Sequence, residues 1–493
     1  MTASSTNFAA RVESLIGPSR ISTDAAARAC YAVDEILPTV VAKPASAEEV
    51  AEIVRFAALE KLALIPCGNR TKLAIGMPPS RYDIALDMTA LDQIPHYDPG
   101  DLTLSADAGA PLAKLNALLF EHEQFLPLLV PWYSLSTIGG TVASGIDSPL
   151  RQFYGTARDF LIGAEFVDGT GHLCKSGGRV VKNVTGYDLH KLLIGSLGSL
   201  AVITRLNFRT FPSPVASHGF VASFPMAEGA LALRRAIASS SLTPLTLDII
   251  SPELAQIFGA RTPATPETVV FAGENRAVNQ PSLQPIGDWF DPREWQLCTA
   301  FAGTTEVRDR YARELTLLAE KSRAASTAIL GDTTRPAVWG RLRESLSMLL
   351  EASPTTVILK ISVLPSHHAA LFTNLRHIAD RAVLPSALVA RAGGTIYFAL
   401  LLTSANEDTT ARFSQSISQI FDLVFAAGGH ASLLFAPRAL KERKDPRSEQ
   451  LLAPASSRLP ANSGAELTSG VAPMRRLKSA FDPQNILAPG RFV

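Results

Sequence analysis

Paired cysteines are missing from this sequence. Its four, Cys30, Cys67, Cys174 and Cys298, lie far apart and form no C-x-x-C pair. That spacing signals no disulfide framework, structural zinc or iron–sulfur cluster, so reduced thiols in a cytosolic protein are the expectation. No run of about 18 apolar residues occurs. The greasiest stretch, 112–131, is broken by Lys114, Glu121, His122 and Glu123, which argues against a transmembrane span. The opening residues lack the basic start and apolar run of a secretory signal. Charge is nearly balanced at +1, leaving no broad field for nucleic acid or an acidic membrane. Common fingerprints are absent as well: no G-x-G-x-x-G after a strand, no G-x-x-x-x-G-K-[ST], no H-E-x-x-H and no G-x-S-x-G. His367 and His368 are adjacent and would point to opposite faces if extended, so they read as surface or helix-start residues and not a metal pair.

What remains is an apolar, globular composition. Hydrophobic residues make up 47% and charged residues 18% of 493, enough for two or three domains. Residues 1–39 read as a helical lead. Val40, Val41 and Ala42 form a short apolar run, and Ser46 with Glu49 makes a capping box before a helix whose apolar face is Val50, Ile53, Val54, Ala57 and Ala58. A strand over 62–66 then meets a turn rich in donors, 66–72. Further strands are expected at 83–87, 102–106, 160–167, 200–204 and 206–211, with a helix over 112–120 and a hairpin at Asp168-Gly169. From residue 213 to 437 the pattern changes to strands (357–363, 395–402) among longer helices (306–321, 367–381), which suggests a separate α+β domain. Residues 438–470 read as a flexible linker, and 471–493 recover a helix at 474–481.

Three glycine- and hydroxyl-rich stretches stand against apolar strands: 68–71, 136–145 and 195–198. A diphosphate needs several converging N–H donors, and glycine lets backbone supply them at close range. One such stretch is an ordinary turn; three together point to a site. On this reading valine at Gly139 or Gly140 should block the diphosphate while leaving the fold largely intact.

The order of motifs resembles the vanillyl-alcohol oxidase / p-cresol methylhydroxylase superfamily of FAD-binding proteins. The matching residues are Lys43-Pro44-x-Ser46-x-x-Glu49-Val50, Pro66-x-Gly68-x-x-Thr71, Leu86-Asp87-Met88-x-x-Leu91 and Ser136-Thr137-Ile138-Gly139-Gly140. They continue with Tyr154-Gly155-x-x-Arg158-Asp159, Val181-Lys182-Asn183-x-x-Gly186-Tyr187-Asp188-Leu189 and Gly195-Ser196-x-Gly198. Within that superfamily the sequence is most similar to the FAD-binding subunits of glycolate oxidases. Leu197 stands where catalytic-subunit relatives usually carry Glu, and the ending Pro489-Gly490-Arg491 is also of that kind.

The resemblance implies an α+β fold of two lobes: an FAD-binding domain of the p-cresol methylhydroxylase type over 40–212, and a second α+β cap domain over 213–437. It implies non-covalent FAD, since no histidine lies in 68–72 for a histidyl–flavin bond. The cofactor-binding residues it carries over are Pro66, Gly68, Asn69, Arg70, Thr71 and Lys72 at the diphosphate. Ser136, Thr137, Gly139, Gly140, Thr141, Ser144 and Gly145 would line the diphosphate and flavin. Gly155 and Asp159 would belong to a contacting turn, with Arg158 and Asp159 as an ion pair. Gly195, Gly198 and Ile203 would meet the adenosine end. Arg70 and Ala488 depart from the usual Gly or Ala and the usual Asn.

No catalytic cluster is recognisable. His430 stands alone, and Lys360 and Arg391 are either anion-binding cations of the cap or strand-edge surface charges. The expected function is an FAD-binding redox subunit of a glycolate-oxidase-like, 2-hydroxy-acid dehydrogenase complex, with a second FAD subunit and an iron–sulfur subunit as partners. The expected location is cytoplasmic, with any attachment to the inner membrane made through partners. Two alternatives stay open: a self-sufficient FAD dehydrogenase of another hydroxylated substrate, and a scaffold that keeps the fold without FAD.

Overall fold

The computed structural model describes residues 3–179, 186–214, 216–260, 290–331, 334–353, 355–391, 393–402, 404, 406–442 and 471–491. Val181, Lys182 and Asn183 lie outside the described residues.

The first lobe holds two sheets. A four-stranded sheet runs Ile21–Ser22, Val40–Ala42, Ile84–Asp87, Leu64–Cys67, and its last three strands are parallel. Helix Ala47–Glu60 makes the crossover between Val40–Ala42 and Leu64–Cys67. Ser46 caps it by accepting from Glu49 N at 3.2 Å. The Glu49 carboxylate turns outward, to Ala45 N at 2.7 Å and to Arg20, so only half of the expected box is made. Val50, Ile53, Val54 and Ala57 are fully buried against the sheet. The helix ends at Lys61 in the left-handed region (φ +54°).

Residues 3–39 are more than a lead. Val12 and Ile16 of helix Ala3–Ile16 share the core of the first sheet, and Ile21–Ser22 is its antiparallel edge strand.

The second sheet of this lobe is antiparallel, in the order His96–Asp98, Thr103–Asp107, Ala201–Arg209, Leu161–Asp168, Leu173–Gly177. Where the sequence suggested two strands, 200–204 and 206–211, there is one long strand, Ala201–Arg209, with register shifts at Ile203/Arg205 and Asn207/Phe208. Such bulges add a residue without ending the strand, which disguises it in a period-2 reading.

An eight-stranded antiparallel sheet forms the second lobe. Its order is Ser326–Leu330, Ser217–Phe224, Trp295–Ala302, Thr246–Ile250, Ser386–Arg391, Thr395–Leu400, Val357–Ser362, His430–Phe435. Alternate side chains feed two cores. Phe220, Ala222 and Phe224 pack with helices Ala227–Ala238, Thr305–Lys321, His368–Arg381 and Glu407–Ala426. Val221, Ile358, Tyr397 and Ala399 face the other way, into a core shared with Leu128, Ile138 and Phe208 of the first lobe. Burial on both faces explains the unbroken apolar strands.

Residues 438–442, expected at the start of a linker, are packed. Arg438–Lys441 is a helical turn, and Lys441 is buried because its ammonium binds Asp34 at 2.9 Å and the Ala74 carbonyl at 2.8 Å. The remainder of that stretch, 443–470, lies outside the described residues. Helix Val471–Phe481 and the residues after it lie on the first lobe: Leu64 N donates to Ile486 O, and Ala488 N to Leu64 O, both at 2.8 Å. Among the described residues no helix is long and apolar enough to cross a membrane.

Candidate functional site

Strand Leu64–Cys67 delivers the chain to a loop, 68–76, that floors a cleft of about 740 Å3. The opposite wall is helix Ile138–Ser144, whose first turn is capped by Thr137 Oγ1 accepting from Gly140 N at 3.3 Å. Leu197 and Gly198 close one end. Met88, Ala108, Ala201 and Ile203 supply an apolar lining.

The loop is built to donate. The backbone N–H groups of Asn69, Arg70, Thr71 and Lys72 have no acceptor among the described residues. Exposed to a cleft and unpaired, four consecutive amides form an anion-binding concavity. Arg70 takes the left-handed conformation (φ +62°) that turns the loop, and its guanidinium lies 4.7 Å over the Tyr31 ring. Arg70 is thus held against Tyr31 while still lining the cleft. Asn69 ties the loop to the facing wall through Nδ2 to Leu135 O at 2.9 Å. Arg491, from the chain's end, donates to the carbonyls of Leu73 and Ile75 and braces the loop from below. Cys67 is buried; burial pushes its thiol up, and Sγ is spent on Leu86 O.

Lys72 brings an ammonium into the cleft, beside Arg70 and Arg491. Its ammonium end is enclosed between Ser136 Oγ, Thr71 Oγ1 (3.1 Å) and the face of Trp132, 5.7 Å from the ring centroid. Burial pushes it down to about 7, with Glu344 partly opposing. Glu344 is fully buried and already committed: it accepts from Trp132 N (2.7 Å), Tyr133 N (3.4 Å), Arg343 Nε (3.0 Å) and Ser347 Oγ (3.0 Å). That carboxylate ties the second lobe to the first and leaves Lys72 without a close anionic partner among the described residues. Beside it, Arg343 Nη2 is buried with no acceptor among the described residues.

Twelve of the residues expected from the sequence line this cleft: Pro66, Gly68, Asn69, Arg70, Thr71, Lys72, Thr137, Gly139, Gly140, Ser144, Gly198 and Ile203. Thr141, Gly145 and Gly155 instead line a second, smaller hollow of about 360 Å3. Ser136 is fully buried behind Lys72, and Gly195 donates to Val142 O at 3.0 Å. Asp159 forms no ion pair with Arg158. Its carboxylate accepts from Thr156 N and Oγ1 as a helix capping box, which a four-residue helix needs more than a neighbouring charge.

Of the two helix glycines, Gly139 departs from expectation. A Cβ on Gly140 would meet only Thr137 Oγ1, at 3.1 Å. A Cβ on Gly139 would sit 2.7 Å from Ala108 Cβ and 2.8 Å from its carbonyl oxygen, so Gly139 serves helix-to-strand packing and valine there would disturb the fold.

Several cap residues depart from the sequence reading. Arg391 and Lys360 lie on interior strands of the eight-stranded sheet, not at an edge. Arg391 is buried in a pair with Asp248 at 2.9 Å and donates to Leu342 O, which holds the turn carrying Arg343 and Glu344. Burial pushes Asp248 up to about 6 despite the guanidinium. Lys360 reaches across to the first lobe. His368, expected at a surface or helix start, begins a helix but is fully buried, bonded to Arg234 Nη1 at 2.6 Å. Ala488, in the left-handed region (φ +43°), is buried beneath the loop and does not line the cleft.

Glu344, Arg343, Met88, Ala108 and Arg491 were not singled out as site residues. Two of them had a local signal: Met88 in Leu86-Asp87-Met88-x-x-Leu91 and Arg491 in the Pro489-Gly490-Arg491 ending.

Comparison with known proteins agrees with this geometry. Residues 38–177 match the family model described as FAD binding domain, and residues 214–432 with 466–492 match that of FAD linked oxidases, C-terminal domain. The glycolate oxidase subunit GlcD of Bacillus subtilis (strain 168) is 24% identical over 487 residues, covering 96% of this chain and 94% of that protein. The glycolate oxidase subunit GlcE of Escherichia coli (strain K12) is 38% identical over 167 residues, 34% of this chain and 47% of that protein. A D-lactate dehydrogenase of Anaerostipes hadrus is 24% identical over 459 residues, covering 92% and 89%. Among solved structures, 4-ethylphenol oxidase from Gulosibacter chungangensis superposes with TM-score 0.72 at 14% identity, covering 100% of this chain and 97% of that one. p-Cresol methylhydroxylase superposes with TM-score 0.71 at 16% identity and the same coverage. These structural likenesses show the p-cresol methylhydroxylase type of fold.

Proposed function

This chain belongs to the FAD-linked oxidases and is an FAD-dependent oxidoreductase; on that premise we propose that it is the FAD-carrying redox subunit of a glycolate-oxidase-like assembly that oxidises a 2-hydroxy acid. Its partners on this reading are a second FAD subunit that oxidises the acid and an iron–sulfur subunit that takes the electrons. The kinship with glycolate oxidase subunits supports the assembly.

One observation carries the cofactor's placement: four consecutive N–H groups, Asn69 to Lys72, unpaired among the described residues, face a cleft that also holds an ammonium with no close counter-ion among them. Donors of that number fit a diphosphate held non-covalently. Thr137 and Gly140 would approach it from the facing helix, and Lys72 would offset its charge. Met88, Ala108, Ala201 and Ile203 would exclude water from the lengthwise part of the cofactor. Bound FAD supplies the two-electron acceptance. The chain's own residues bind, orient and shield it.

A second reading, a self-sufficient dehydrogenase, is favoured by Arg343, whose buried Nη2 has no acceptor among the described residues and on that reading would take a substrate carboxylate. One experiment separates the two. The visible spectrum of the purified chain is recorded, then repeated after anaerobic addition of glycolate or D-lactate. Flavin bands that persist support the dependent subunit. Bands that bleach establish independent turnover. A colourless protein that takes up no added FAD overturns the cofactor placement.

A further inference from the structure

The smaller hollow of the first lobe reaches a cluster that the redox reading does not use. Asp147 sits there in a loop just after helix Ile138–Ser144, in neither a helix nor a strand. Its Oδ2 meets two cations at once, Arg151 Nη1 at 2.8 Å and Lys360 Nζ at 3.1 Å. Arg151 also donates to Thr395 Oγ1 at 2.7 Å and Lys360 to Gly145 O at 2.9 Å, while Asp147 N donates to the Tyr397 hydroxyl at 3.0 Å. Lys360, Thr395 and Tyr397 belong to the second lobe, so the cluster exists only where the lobes meet.

Two features set it apart from an ordinary salt bridge. The first is charge. Two cations face one carboxylate, and neither pairs with another acid among the described residues. The second is shape. The other oxygen, Oδ1, has no partner among the described residues, and the hollow of about 360 Å3 is lined by Asp147 together with Gly145, Ile146 and Ser148. The side chain of aspartate beyond its Cα is a CH2–COO− group, the size of an acetate ion.

We propose that Arg151 and Lys360 form a site for a small monocarboxylate at the junction of the lobes, and that Asp147 fills it as an internal ligand. While Asp147 stays in place, the pair is closed to the carboxylate of a substrate. Removing the internal ligand leaves two cations uncompensated, a costly state that an exogenous carboxylate relieves. This inference needs no bound cofactor and stands apart from the redox reading.

Thermal melting of Asp147→Gly tests it, with sodium acetate or glycolate compared against equal sodium chloride. The variant should melt below the wild type. Either carboxylate should raise its Tm with the logarithm of its concentration, by roughly 1–2 °C at tenfold excess over Kd. The wild type should not respond, and Asp147→Gly combined with Lys360→Met should lose the response. A single variant that acetate and glycolate affect no more than chloride overturns the proposal. So does a response that survives in the double variant. Should Asp147→Gly fail to fold unaided, its refolding yield in acetate against chloride reads the same interaction, and equal yields overturn it.

Discussion

Replacing Lys72 by methionine should weaken FAD binding with little change in fold. Among the described residues the ammonium donates to Ser136 Oγ and Thr71 Oγ1 and faces the Trp132 ring, all neutral, and Glu344 is saturated by four other donors. Lys72 thus contributes to the cleft mainly through charge. A charged hydrogen bond to an anion contributes about 1.5–3 kcal/mol net, so Kd should rise roughly 10- to 150-fold. Fluorescence titration of FAD into the apoprotein measures this. The pH dependence supplies an independent check. Burial holds Lys72 down to about 7, below its unfolded value of 10.5. Between those values the unfolded chain holds more protons than the folded one, so this group's contribution to apoprotein stability rises with pH across that window. A neighbouring diphosphate favours the ammonium, so the loaded site holds more protons than the apoprotein. FAD affinity should therefore fall as pH rises above about 7, by at most tenfold per unit. Lys72→Arg should bind FAD with a flat profile. A Lys72→Met Kd within about threefold of wild type, or identical pH profiles for wild type and Lys72→Arg, would refute the reasoning.

Other substitutions separate packing from binding. Gly140→Val should give a folded protein with almost no flavin, since Gly140 lines the cleft and a Cβ there presses only on the Thr137 hydroxyl; circular dichroism and flavin absorbance together decide this. Gly139→Val should instead lose fold and flavin together, because Ala108 blocks it. Arg391→Ala should destabilise the chain by about 3–5 kcal/mol in denaturant titration, since it strands a buried Asp248 and releases the Arg343–Glu344 turn; a loss under about 1 kcal/mol would contradict that.

Local chemistry made much of this protein readable from sequence alone. The capped helix after Ser46 and the loop after Leu64–Cys67 depend on turn and capping preferences that act over a few residues, and so they are legible in order; the stretch 136–145 stood out by its glycines and hydroxyls, but its helix, Ile138–Ser144, was not anticipated. The family follows from that order. Long-range pairing was not legible. No local signal says that Ile21–Ser22 edges the first sheet, that Lys441 seeks Asp34, or that Arg491 braces the loop beneath the cleft. Nor could sequence tell the cleft-facing Gly140 from the packing Gly139, because the difference lies in Ala108, a neighbour only in three dimensions. The fates of Arg391 and His368, both buried, and of half-buried Lys360 have the same cause. A charged residue in a strand pattern looks like surface until its partner, Asp248, Asp147 or Arg234, is brought against it. Tertiary structure decided which charges were compensated, and compensation governs whether burying a charge is tolerable at all.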